Sequence, residues 1–324
     1  MKISEFFSYC VKCGRDADPR GVESVKKLMT EEKKSFDKLS AGEKKYYDSD
    51  RLINPYADSR ISNNPSDGSV KRIMCGIDIG VPELLLADGL SRKGEKIDLV
   101  VAHHPNGYSY CTFHEVMAMQ AEIQSGWGVP INIAESLLNE RQELVGRSVM
   151  PRNHAQVTDA AVLMGIPMCN VHTPADNHVT EFLGKKFKNM SKLKLEEVIK
   201  ILEKVPEYDY ARMKHLPGPV IVNGKPSSSA GKIVVDMTGG TEGAVEAVSK
   251  LADAGVGTII GMHFSEKHIE RAKKSRINII IAGHISSDNL GLNLLFDKVE
   301  KKYGRFHVTE CSGFHRIRRK PTGR

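Results

Sequence analysis

The sequence predicts an α/β fold with two lobes and a helical N-terminal extension. Three observations lead there. The chain has 324 residues, more than a single hydrophobic core usually organises. Short, wholly apolar runs alternate with amphipathic helical patterns, as expected of strands covered by helices on both faces. That alternation occurs twice, with a segment of different character between the two passes.

Residues 1–50 are rich in Lys and Glu, and Val25, Leu28, Met29, Phe36 and Leu39 fall mostly on one helical face, which defines the extension. Residues 52–69, LINPYADSRISNNPSDGS, are turn chemistry and read as a boundary or an ordered loop. The first lobe, residues 51–182, opens with KRIMCGIDIG as a strand and PELLLADGLSRKG as a helix. IDLVVAHH is a strand, FHEVMAMQAEIQSG a helix, and PINIA a short strand. A helix with Leu137, Leu138, Leu144 and Val145 on one face follows. The next helix carries Val157, Ala160, Ala161 and Met164 and is closed by Gly165, before the strand PMCNVH.

Residues 183–230 connect the lobes. Leu195, Val198, Ile199, Leu202 and Val205 mark an amphipathic helix stopped at Pro206, and 206–231 reads as loop or linker. The second lobe, residues 231–324, repeats the alternation: strands GKIVVDMTGG, VGTIIGMH and INIIIAGH, helices TEGAVEAVSKLADAG, SEKHIERAKKSR and DNLGLNLLFDKVEKKYG, and FHVTECSGF as a closing strand.

Hydrophobic residues make up 40% and charged residues 27% of the chain, an ordinary globular balance. The net charge of +7 allows an anionic partner without specifying one. No apolar run approaches the ~18 residues of a membrane span. MKISEFFSYC lacks the sustained apolar core of a signal peptide, so a cytoplasmic protein is expected. Six scattered cysteines are not a disulfide scaffold, and the lone pair Cys10 and Cys13 has no second CxxC to complete a zinc site.

Four apolar strands end in histidine: DLVVAHH, MCNVH, TIIGMH and INIIIAGH. Ligands of open α/β sheets bind at the carboxyl ends of strands, so His103, His104, His172, His263 and His284 could share one rim. His103 and His104 are neighbours on a strand, whose alternation should point them apart. Two carboxylates lie close by. Asp176 follows His172 by four residues across Pro174, which suggests a turn, and Asp288 follows His284 by four. Asp288 could also cap the following helix. Imidazole with carboxylate suits Zn, Fe or Mn, and paired ions sit ~3.5–4 Å apart, so two oppositely angled histidines could each serve one ion. The DMTGG turn, with Gly239, Gly240 and Gly243, is either an anion site at a helix N-terminus or a tight βα turn.

In order, DLVVAHHP, VHTPAD, DMTGG and IAGHISSD resemble the Nif-three-like family, whose members are often described as GTP cyclohydrolase I type 2 homologues. The resemblance spans residues 51–324. It implies two related three-layer α/β lobes across a dinuclear metal cleft and homohexamers built from trimers. It also implies two divalent ions held by His103, His104, Asp176, His284 and Asp288. By motif, Asp176 joins His104 on one ion and His284 joins His103 on the other. Asp288 stands where the family usually has a bridging glutamate, one methylene longer, so it either bridges, if its helix sits closer, or binds one ion only. His172 is a candidate outer-sphere or third ligand, and His178, His263 and His268 lie further out.

The function this implies is metal-dependent hydrolysis of a nucleotide, phosphorylated or cyclic amide substrate, with His172 or His263 moving protons. The alternative is a metal-holding or regulatory oligomer that binds a partner. The tail FHRIRRKPTGR, with Arg316, Arg318, Arg319, Lys320 and Arg324, reads as a solvated terminus rather than a nucleic-acid contact.

Overall fold

A computed structural model describes residues 1–319. The apolar runs form two mixed sheets. The first contains β1 (Arg60–Asn63), β2 (Arg72–Gly76), β3 (Leu99–Ala102), β4 (Met168–Asn170) and β9 (His307–Glu310), in the order β1-β4-β3-β2-β9. The second contains β5 (Val220–Asn223), β6 (Lys232–Asp236), β7 (Val256–Gly261) and β8 (Asn278–Ile281), in the order β5-β8-β7-β6. Apart from β9 the two orders match. β2, β3 and β4 run parallel, as do β6, β7 and β8, while β1 and β5 each close an edge antiparallel. Even the edge irregularity recurs, with register shifts at Ile61/Asn63 and Ile221/Asn223. There Asn63 Nδ2 donates to Ile166 O and Asn223 Nδ2 to Ile277 O, giving each carbonyl a partner where the ladder slips. The lobes are therefore related.

Both sheets are covered on both faces, which is why their central strands, such as β3 and β7, are largely apolar. Ile73, Cys75, Leu99 and Val101 pack with Phe6 and Cys10 of the helix Ile3–Asp16 and with Leu292 and Phe296 of the helix His284–Tyr303. Met74, Val100 and Met168 face Leu84 and Ala161 on the other side. In the second sheet Val235, Ile260 and Ile280 pack with Val179, Leu183 and Phe187 of the helix Thr173–Phe187, and Val234, Ile259 and Ile279 with Val248 and Leu251. The helices after β4 and β8 are thus exchanged: each packs on the other lobe's sheet. They cross at Gly291, where a Cβ would lie 2.6 Å from the Ala175 carbonyl oxygen.

Several expectations are corrected. The closing strand forms, but as β9 it pairs with β2 of the first sheet. The N-terminal segment is not an appendage, because Ile3, Phe6, Phe7 and Cys10 are core residues; of the face read on Val25 to Leu39, only Val25 is buried. PINIA is not a strand: Pro130 stands before the helix Ile131–Val149, since proline fits a helix start, where its missing N–H is not needed. Pro174 likewise sits in the first turn of Thr173–Phe187, so HTPAD is the start of a helix rather than a turn. Residues 206–231 contain the helix Pro206–Met213 and β5. The DMTGG turn is not a helix N-terminus, since the next helix begins at Ala247, and Gln120 Nε2 donates to Gly239 O and Thr241 O at 2.7 Å each. Arg316, Arg318 and Arg319 are not free tail charges, because they pair with Asp297, Glu300 and Glu207. Lys320 and Arg324 lie outside the described residues. Among the described residues no helix is long and apolar enough to cross a membrane.

Candidate metal centre

β3 ends at Ala102, and the backbone bends at His103 and His104. The ladder persists for their amides: His103 N donates to Gly76 O at 2.9 Å and His104 N to Ile77 O at 3.0 Å. Side-chain alternation does not persist, and the ring centroids are only 5.1 Å apart. Both rings reach Asp288. His103 Nε2 lies 3.4 Å from its Oδ1 and His104 Nε2 lies 3.5 Å from its Oδ2. The two histidines therefore do not point apart; they approach different oxygens of one carboxylate.

The helix exchange brings the remaining donors together. Asp176 Oδ1 is 3.4 Å from His103 Nε2, and its Oδ2 is 3.6 Å from His172 Nε2. His284 Nε2 is 3.7 Å from Asp288 Oδ2. Donor atoms within 4.8 Å of one another form three sets: His103 with Asp176 and Asp288, His104 with His284 and Asp288, and His103 with His104 and His172. This reverses the expected partners. His103 goes with Asp176 and His104 with His284. Asp288 caps no helix; Gly283 stands at that N-terminus, and Asp288 reaches both sets from the turn above.

Outer partners fix two of the rings. His104 Nδ1 lies 2.7 Å from Asp78 Oδ1, and His172 Nδ1 lies 2.8 Å from Asp58 Oδ2. A carboxylate that accepts a hydrogen bond from Nδ1–H leaves Nε2 with its lone pair toward the cluster. Asp58 also accepts from Thr173 Oγ1 at 2.6 Å, which ties β1's approach to the start of the Thr173–Phe187 helix. Sequence reasoning missed both carboxylates. Asp78 follows the end of β2, so the strand-end rule could have found it. Asp58 lies inside turn chemistry that gives no such signal.

The inner residues have no other partners. His103 and Asp288 are both 0% exposed. His103 Nδ1 and Nε2, Asp176 Oδ1 and both oxygens of Asp288 make no hydrogen bond. Burying such groups unpaired is expensive. A divalent cation would partner them, and imidazole with carboxylate suits Zn, Fe or Mn. The residues fit such an ion, and this buried His/Asp group could hold one. His263 and His268 lie off the cluster. His263 sits on the rim, 4.8 Å between ring centroids from His284, with Nδ1 3.2 Å from Glu242 Oε1. His268 is held by Ser265 and the Gly243 carbonyl. His178 is buried with Nδ1 donating to Pro174 O. Cys10 and Cys13 are free thiols buried in the first core.

Electrostatics show what stands in for a cation. Burial opposes charge on His103, but Asp288 and Asp176 outweigh it and raise its pKa to about 10. Burial likewise raises the Asp288 pKa, and the surrounding histidines, His103 first, bring it down to about 2. An unfolded histidine titrates near ~6.5. The folded His103 value is higher, so its charge stabilises the metal-free fold fully below that pH, and the contribution is lost as pH rises through 10. Melting of the metal-free chain is expected to fall by several degrees between about pH 7 and about pH 10. Ligation requires neutral imidazole, so zinc uptake near about pH 8 is expected to release protons. Calorimetry in buffers of different ionisation enthalpy measures that release, and none would mean that His103 is not a ligand.

Neither a family model nor a curated protein matches the chain. Among solved structures it is similar to a NIF3 superfamily protein from Sphaerobacter thermophilus, with 29% identity and a TM-score of 0.70, over 80% of this chain and 92% of that one. A structure titled reduced HcgD, from Methanocaldococcus jannaschii, aligns at 14% identity and a TM-score of 0.48, over 77% and 87% of the two chains.

Proposed function

We propose that the chain, which is similar in fold and sequence to a NIF3 superfamily protein, is a member of that Nif-three-like family and a metal-dependent hydrolase with two divalent ions per chain. His103, Asp176 and Asp288 would hold one ion, with His172 beside it. His104, His284 and Asp288 would hold the other. The observation that carries this reading is the set of four buried, unpartnered atoms that face one another: His103 Nε2, Asp176 Oδ1 and both carboxylate oxygens of Asp288. Divalent ions there supply Lewis-acid polarisation of a substrate carbonyl or phosphoryl oxygen and activation of water. The chain's own groups do the rest. Asp58 and Asp78 orient His172 and His104. His172, read from sequence as a proton carrier, serves better as a donor, because its Nδ1 is engaged by Asp58. His263, half exposed at the cleft and held by Glu242, is placed to move a proton there.

Elemental analysis and turnover test this together. Zinc-, manganese- and iron-loaded protein is expected to carry two ions per chain. It is also expected to hydrolyse at least one of p-nitrophenyl phosphate, p-nitrophenyl acetate and GTP, with activity lost in His103→Ala and His104→Ala. Ions without turnover would favour a second reading, a protein that holds metal without processing a substrate. The full burial of His103 and Asp288 supports that alternative. Absence of ions would remove both.

A further inference from the structure

His284 lines two cavities. One is the cleft lined by His172, Asp176, His263 and His284, with a volume of about 80 Å³. A water occupies ~30 Å³ of liquid, so the cleft has room for a reacting group and a water or two. It is smaller than the ~150 Å³ that holds benzene. The other cavity measures about 310 Å³ and is walled by Tyr210, Ala211, Leu216, Pro217, Ile285 and Ile317, with His284 also in its lining.

The larger cavity is apolar for a structural reason. Most polar groups in its wall already have partners within the protein. Asn289 Nδ2 donates to Ile285 O and Gly313 O, and its Oδ1 accepts from His315 N. Ser286 Oγ donates to Gly283 O. Glu207 accepts from Asn293 and Arg319. His315 stacks on Tyr210 with centroids 4.1 Å apart, and its Nδ1 is 2.7 Å from Glu310 Oε2. Such a wall favours apolar surface and leaves a polar ring edge without partners. A cavity of ~150 Å³ holds benzene, so this one holds about two fused rings.

We propose that this cavity is the specificity subsite of the cluster: it receives an uncharged, apolar ring group of the molecule whose reactive oxygen enters the cleft at His172, Asp176 and His284. The proposal rests on the metal-hydrolase reading for the reactive end, and it names the substrate class as an aryl compound rather than one that places a nucleobase here.

The test uses the full chain and two probes, 2-naphthol and 2-naphthoate, with binding followed by calorimetry. 2-Naphthol is expected to bind the metal-free protein, at least tenfold more weakly in Leu216→Glu and in Ile317→Trp. Leu216 is 52% exposed, so a glutamate there should leave the fold intact. 2-Naphthoate, which carries a metal-binding carboxylate on the same ring, is expected to bind at least tenfold more tightly to zinc-loaded than to metal-free protein, while 2-naphthol shows no such gain. No 2-naphthol binding at about 1 mM overturns the proposal, as does binding that neither variant weakens. So does the absence of a 2-naphthoate gain in protein shown by elemental analysis to carry zinc. Failure to carry zinc at all sinks the hydrolase reading instead, and the metal-free 2-naphthol result separates the two failures.

Discussion

If the centre holds the two divalent ions proposed above, Asp288→Asn is expected to cost the protein both, whereas Asp176→Asn costs one. The asymmetry follows from geometry. Asp288 Oδ1 faces His103, and its Oδ2 faces His104 and His284. Asp176 approaches His103 and His172 only. Asparagine keeps the shape and removes the charge. It also leaves an amide nitrogen in place of one donor oxygen, so each set loses its shared anion. We expect zinc affinity to fall at least ~100-fold at both positions in Asp288→Asn, more than the effect usual for an outer-sphere partner. In Asp176→Asn only one position should weaken. Equilibrium dialysis with elemental analysis gives the stoichiometry, and circular dichroism checks the fold. One ion retained at full affinity in Asp288→Asn would show that the carboxylate is not shared.

Gly291→Val should destabilise the metal-free protein by about 3 kcal/mol. The Cβ alone would stand 2.6 Å from the Ala175 carbonyl oxygen and 3.0 Å from Val179 Cγ2. The first of these is backbone and cannot swing aside, so the helices Thr173–Phe187 and His284–Tyr303 must separate. Asp176 is one residue from Ala175, and Asp288 is three residues from Gly291 on the same helix. Separation therefore draws the two carboxylates apart, and zinc affinity should fall although no donor is changed. Gly184 is the control. It lies in the helix Thr173–Phe187 with nothing near its missing Cβ, so Gly184→Ala should be neutral or stabilising by up to ~1 kcal/mol. Urea denaturation compares the three proteins. A wild-type midpoint for Gly291→Val would mean that the crossing is not tight.

The central strands were legible because a strand buried on both faces must be apolar along nearly its whole length, as LVVA (99–102) and III (279–281) are. Proline misled in two places. Pro130 and Pro174 both open helices, where a missing N–H does no harm, and local chemistry does not distinguish that position from a break. The N-terminal helix was misplaced for a related reason. Its buried face of Ile3, Phe6, Phe7 and Cys10 precedes the more conspicuous but largely exposed pattern from Val25 to Leu39.

The sequence by itself determined the α/β class and the repeated alternation, and it offered His103, His104, Asp176, His284 and Asp288 as candidate donors. The class follows from local periodicity, the histidines stand at the ends of apolar runs, and the two carboxylates were picked out by their spacing from a histidine and by the family resemblance. Only the tertiary structure decided which donors meet. It paired His103 with Asp176 and His104 with His284, it brought in Asp58 and Asp78, and it let the shorter Asp288 reach both sets. The reason is the crossing of the two exchanged helices at Gly291, a contact between segments more than a hundred residues apart. That separation carries no periodicity, so no pattern along the chain could have encoded it for a reader.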